Sequence, residues 1–167
     1  MNHSLIPTYV KMHERGLFPG YSLRPYVEQI TEIVMASDAK TLLDYGSGQG
    51  KQYIKECYHA FWNIMPTLYD PAVKEFSKRP KEQFDGVICT DVLEHVPVDE
   101  LDAVIEDLVG YARLWCFVSV CCRRAKPNKN LPDGRNAHVT IRPRKWWRDK
   151  LGAAFEGRAQ LHLEFTP

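Results

Sequence analysis

The stretch that most constrains this chain is Thr41-Leu42-Leu43-Asp44-Tyr45-Gly46-Ser47-Gly48-Gln49-Gly50. An apolar run ends in an acid, and three alternating glycines lead into a helix-forming segment. The pattern predicts a strand, a tight turn and a helix. A residue without Cβ lets the backbone turn sharply and press against a ligand. The helix N-terminus beyond the turn would offer N–H groups to a polar or anionic ligand. A second apolar run, Leu68-Tyr69, ends at Asp70, 20 residues past Gly50. Nucleoside-binding α/β folds place there the carboxylate that holds ribose hydroxyls.

The bulk properties agree with a folded α/β chain. A length of 167 residues suits one domain with a full core, and 44% hydrophobic content with a net charge of +1 excludes a disordered chain. The longest apolar runs, such as Leu114 to Cys122, are too short to span a bilayer. The N-terminus lacks a signal-peptide layout. Five cysteines without C-x-x-C spacing fit buried thiols rather than a zinc site. A cytoplasmic protein with no membrane partner is therefore expected. Charge is uneven. Residues 123–150 carry ten Lys/Arg against two acids, whereas the remainder carries 12 against 19. A basic segment on an acidic body points to an anionic partner or to a solvated face.

Periodicity supplies the rest of the layout. Residues 1–22 read as irregular, with Pro7, Gly16, Pro19 and Gly20 as breakers. Helices are expected over 22–36 with Ser22 as N-cap, 49–59, 99–111 and 144–151. Strands are expected over 41–45, 64–69, 86–90, 114–120 and 160–165, the last antiparallel. Only 14 residues lead from Pro71 to Asp85, room for one short helix and no strand.

Glycine spacing narrows the ligand. A dinucleotide turn reads G-x-G-x-x-G, but this chain reads D-x-G-x-G-x-G from Asp44 to Gly50. That pattern resembles motif I of the class I S-adenosylmethionine-dependent methyltransferases. Phe84-Asp85-Gly86-Val87-Ile88-Cys89-Thr90-Asp91-Val92-Leu93-Glu94-His95-Val96 resembles the fourth strand and following turn of the same superfamily. The likeness covers 41–96, and more loosely extends to Cys122. It implies a Rossmann-like three-layer α/β sandwich with a mostly parallel sheet, here with the third strand missing or vestigial. The cofactor implied is S-adenosyl-L-methionine. Asp44 would approach the methionine amino group. Tyr45, Gly46, Ser47, Gly48 and Gln49 would form the turn under methionine and ribose. Asp70 would hold the ribose hydroxyls, and Asp91 and Val92 would line the methionine end. The acid that usually meets adenine at the third strand has no counterpart.

Methyl transfer from a sulfonium needs mainly alignment in a dry pocket, with a base where the acceptor is a hydroxyl. His95, after the fourth strand, is the candidate base, or else a cap of that turn. His138 would face the same cleft. Glu94, His95 and His138 are also similar to the metal-binding residues of small-RNA 2′-O-methyltransferases, although Asp91 replaces a glutamate there. No metal is assigned in the main reading. Residues 1–22 would form a lid through Phe18 and Tyr21, and 123–150 a basic acceptor-side loop and helix. Adjacent Trp146 and Trp147 cannot share one helix face. The acceptor expected is a small, anionic molecule methylated on oxygen or nitrogen. The alternatives are an RNA or nucleotide methyltransferase and a non-catalytic cofactor-binding module.

Overall fold

A computed structural model of the chain describes residues 4–166. The elements run α1 (Ile6–Glu14), α2 (Val27–Ser37), β1 (Leu42–Tyr45), α3 (Lys51–Ile54), β2 (Thr67–Tyr69), β3 (Phe84–Thr90), α4 (Leu101–Tyr111), β4 (Ala112–Cys121), α5 (Arg144–Phe155) and β5 (Gln160–Thr166). Five strands form one sheet in the order β2-β1-β3-β4-β5. Every neighbouring pair is parallel. Between Pro71 and Phe84 lies only a single 3-10 turn, Lys74–Phe76, so the third strand is missing as its length predicts.

The C-terminal strand corrects the sequence reading. β5 pairs parallel to β4, from Trp115 against Gln160 to Cys121 against Thr166. The reason lies in α5, whose 12 residues carry the chain back down the sheet. A strand that follows such a crossover re-enters in the same direction as its neighbour. Other boundaries move as well. The helix expected over 22–36 begins at Val27 after a 3-10 turn at Arg24–Tyr26. Ser22 caps nothing there and instead pairs its hydroxyl with Thr90 at 2.8 Å. The helix expected over 49–59 is a single turn, followed by a 3-10 turn at Tyr58–Phe61. The segment read as irregular contains α1, whose first turn holds Pro7.

Alternation along the strands divides the core. Leu43, Val87, Cys89, Cys116 and Val118 face α4 and α5. Leu42, Ile88, Trp115 and Phe117 face α2 and its neighbours. Trp147 of α5 is fully buried, while Trp146 is only partly covered and lies against Arg142 and Lys150. A third cluster joins Tyr9 and Met12 of α1 to Ala72, Leu131 and Ala137, and so roofs the strand tips. The chain leaves β1 toward β2 on one side, and β3 begins the other side. The crevice therefore falls beyond the carboxyl ends of β1 and β3, where open α/β sheets bind ligands.

Candidate functional site

That crevice holds a cavity of about 370 Å³, the scale of a small-molecule site. Gly46, Gly48, Asp70, Asp91 and Val92 line it, all expected at the cofactor. His95 and His138 line it too, as do Phe18 and Tyr21 of the lid segment.

The glycine turn is shaped by a second turn, distant from it in sequence. A Cβ on Gly48 would lie 2.7 Å from the Phe18 carbonyl oxygen, and one on Gly20 would lie 2.4 Å from that of Ser47. Both glycines have positive φ. The two backbones meet because neither carries a side chain there. Lys51 and Gln52, at the start of α3, donate their N–H groups to the carbonyls of Pro19 and Gly20 at 3.2 and 2.9 Å. The donors expected to face a ligand therefore fasten the lid. Gln49 joins in, donating from its side chain to the His13 carbonyl at 3.1 Å.

Asp70 is buried, and its carboxylate faces the cavity. One oxygen accepts the Gly48 N–H and the other the Ala72 N–H, each at 2.9 Å. The carboxylate is thus held in place by the backbone. Asp44, Tyr45, Ser47 and Gln49 are not part of the cavity wall. Asp44 lies buried behind the turn and accepts from the Gln52 amide at 2.8 Å. Tyr45 points into the α4 layer, donating to Asp107 at 3.1 Å. Ser47 is buried inside the turn.

Burial raises the Asp44 pKa to about 7, despite polar contacts from Tyr53 and Gln52. The ordinary value is 3.8, so between these pH values the unfolded chain ionises while the native state keeps its proton. Native stability falls as pH rises through that window. Asp44→Asn cannot titrate and keeps an acceptor for Gln52. We expect the parent, without cofactor, to lose stability relative to this variant on going from about pH 4 to pH 7. Urea unfolding at both pH values checks this; parallel behaviour of the two proteins would refute it.

At the other end of the cavity, Asp91 has a φ of +54°, a left-handed conformation uncommon outside glycine. Its N–H donates to the Ser119 carbonyl at 3.1 Å, and its carboxylate accepts from Thr166 at 2.5 Å. The end of β5 thus holds the turn that presents Asp91. Next come the histidines. His95 Nδ1 lies 3.0 Å from the Ala137 carbonyl and 3.1 Å from the Tyr9 hydroxyl. A carbonyl only accepts, so Nδ1 carries the proton and Nε2 the lone pair. His138 repeats this, with Nδ1 2.5 Å from the Arg123 carbonyl. The two rings meet edge to face at 4.8 Å. Burial lowers the His138 pKa, leaving it neutral.

Glu94 is fully buried; one oxygen accepts the Cys121 N–H at 2.8 Å, and the other has no partner among the described residues. Burial, reinforced by Asp91, raises its pKa well above the usual carboxylate range. Among the described residues, Glu94, Cys121 and His138 have donor atoms within 4.8 Å of one another and could gather on a cation. His95 is outside that set.

Tyr9, His13, Thr90 and Lys129 also line the cavity and were not singled out from sequence. Lys129 holds its ammonium over the Phe18 ring, 5.5 Å from the centroid. A signal for Tyr9 and His13 did exist. Pro7 sits where proline starts a helix rather than where it breaks one.

No helix among the described residues is long and apolar enough to cross a membrane. Searches of curated proteins and of solved structures give no match. A family model described as a methyltransferase domain matches residues 20–155. That span includes the glycine turn, Asp70, the β3 tip and both histidines, so the chain belongs to the methyltransferase-domain family of the class I superfamily and is an S-adenosylmethionine-dependent methyltransferase.

Proposed function

We propose that the chain methylates a hydroxyl, or alternatively a nitrogen, of a small anionic acceptor held between the β3 tip and the 123–150 segment. The observation that carries this reading is the company of Lys129 and the two histidines. His95, His138 and the Lys129 ammonium share the cavity wall with Asp91, whereas the buried Asp70 carboxylate lies by the glycine turn. S-adenosylmethionine supplies a methyl group on a sulfonium that leaves readily. In this reading Asp70 binds the ribose, Gly46 and Gly48 let the cofactor lie against backbone, and Asp91 faces the methionine end. Phe18 and Tyr9 cover the site and exclude water. His95 Nε2 takes the acceptor's proton as the nucleophile forms, and the Ala137 carbonyl stabilises the resulting imidazolium through Nδ1–H. Lys129 attracts the anionic part of the acceptor.

The basic segment favours a small acceptor over RNA. Arg135, Lys145 and Lys150 form ion pairs with Asp133, Asp149 and Asp102. Arg142, Arg144 and Arg148 lie on the rings of Trp146 and Phe165. Lys129 is the cation of this segment that reaches the cavity wall. Turnover with a panel of hydroxylated carboxylates and phosphates, their neutral analogues and short RNAs tests the proposal. Anionic small molecules should be methylated, with Lys129→Gln raising KM for them about tenfold. Methylation confined to RNA, with affinity falling steeply in salt, would overturn it. No turnover with any class would favour a binding module.

A further inference from the structure

The cavity contains a histidine to which the family resemblance gives no role. His13 is on the last turn of α1, with its side chain only 10% exposed. Its Nε2 lies 3.9 Å from Asp70 Oδ2. That is too long for a hydrogen bond. Its Nδ1 is buried and has no hydrogen-bond partner among the described residues. A neutral imidazole always has one donor and one acceptor nitrogen. Leaving Nδ1 buried without a partner is costly, and Nε2 stands short of Asp70 on the cavity wall.

The gap to Asp70 has a specific size. A hydroxyl oxygen about 2.8 Å from each atom can bridge 3.9 Å, donating to the carboxylate and accepting from the imidazole. Asp70 cannot move far to close the gap itself, since the Gly48 and Ala72 N–H groups hold its two oxygens. His13 is equally fixed: Gln49 of the glycine turn bonds its carbonyl, and its ring packs edge-on against Phe18 at 5.8 Å. Burial lowers the His13 pKa more than Asp70 raises it, which keeps the ring neutral and able to play either part.

We propose that His13 is a cofactor-positioning residue: α1 closes over the bound nucleoside, and His13 and Asp70 clasp one ribose hydroxyl between them. This rests on the reading of the cavity as the S-adenosylmethionine site. It assigns a ligand-facing purpose to α1, which precedes the span matched by the family model. It also supplies a polar nucleoside contact in a chain without the third strand and its adenine-binding acid.

Calorimetry with S-adenosylhomocysteine and its 2′-deoxy and 3′-deoxy forms tests the clasp. His13→Phe keeps a ring against Phe18 but removes both nitrogens, and His13→Gln keeps a donor and an acceptor. His13→Phe should bind S-adenosylhomocysteine about tenfold more weakly, with His13→Gln recovering part of the loss. Deleting the clasped hydroxyl should weaken binding to His13→Phe by a clearly smaller factor than to the parent, since the imidazole bond is already gone there and the bond to Asp70 alone is left to lose. Unchanged affinity in a folded His13→Phe would overturn the clasp. So would losses that multiply independently for both deoxy forms, which would mark His13 as structural. If the parent itself fails to bind S-adenosylhomocysteine, the cofactor reading of the cavity falls, a result separable from any behaviour of the variants.

Discussion

A valine at Gly48 is expected to abolish measurable binding of S-adenosylhomocysteine, a loss of at least about 100-fold. Two independent obstacles act together. The backbone there has a φ of +55°, which strains any β-branched residue. The first side-chain carbon would also meet the Phe18 carbonyl at 2.7 Å and the Gly20 nitrogen at 3.1 Å. These are backbone atoms of the lid, so no rotamer change relieves the contact. The lid must lift, releasing the hydrogen bonds from Lys51 and Gln52 that seal it against α3. The Gly48 N–H would also lose its aim at Asp70. Asp70→Ala removes the proposed diol acceptor without a steric clash, although it also frees the Gly48 and Ala72 N–H groups. It should cost about 1–3 kcal/mol of cofactor affinity, the scale of hydrogen bonds to a charged group. Calorimetry on both variants, with circular dichroism to establish folding, decides the matter. Parent-like affinity in both would mean that the glycines serve only the turn.

The sequence exposes this half of the site because its chemistry is local. Alternating glycines and an acid after the next strand all lie within 46–70 and need no knowledge of distant contacts, whereas Asp44, expected beside them, lies behind the turn. The missing third strand is equally legible, since too few residues separate Pro71 from Asp85. The direction of β5 is not. Alternating residues from Gln160 onward fit an edge strand of either sense, and the sense follows from the length of α5. The mating of Gly20 with the Gly46–Gly50 turn is also invisible, because it depends on two loops meeting across about 30 residues of chain. The same holds for the nitrogen assignments of His95 and His138, which come from the carbonyls of Ala137 and Arg123. Tyr9 and His13 were hidden for a different reason. Pro7, Gly16, Pro19 and Gly20 made the whole N-terminal segment look broken, although only the last three fall beyond α1.

Replacing His95 by alanine should lower turnover of a hydroxyl acceptor by about 10²–10⁴-fold while leaving S-adenosylhomocysteine affinity nearly unchanged. The separation is expected because His95 lies beyond the β3 tip, whereas Asp70 and the glycine turn hold the nucleoside in the proposed reading. Nδ1 is held by Ala137, so the proton must enter at Nε2, and a protonated ring could not accept it. His95→Gln tests the alternative of a structural cap. Glutamine can satisfy the Ala137 carbonyl and restore packing, yet it cannot take a proton. Recovery of rate in the glutamine variant would make His95 a cap. Loss in both variants, with thermal stability retained in the glutamine one, would make it the base. His138→Ala provides the control within the same wall. Its ring meets His95 edge-on at 4.8 Å and burial lowers its pKa, so it can take over part of the proton transfer when His95 is absent. The double variant should then be slower than His95→Ala alone. Full activity in His95→Ala would leave alignment as the whole of catalysis and identify the acceptor atom as a nitrogen that needs no base.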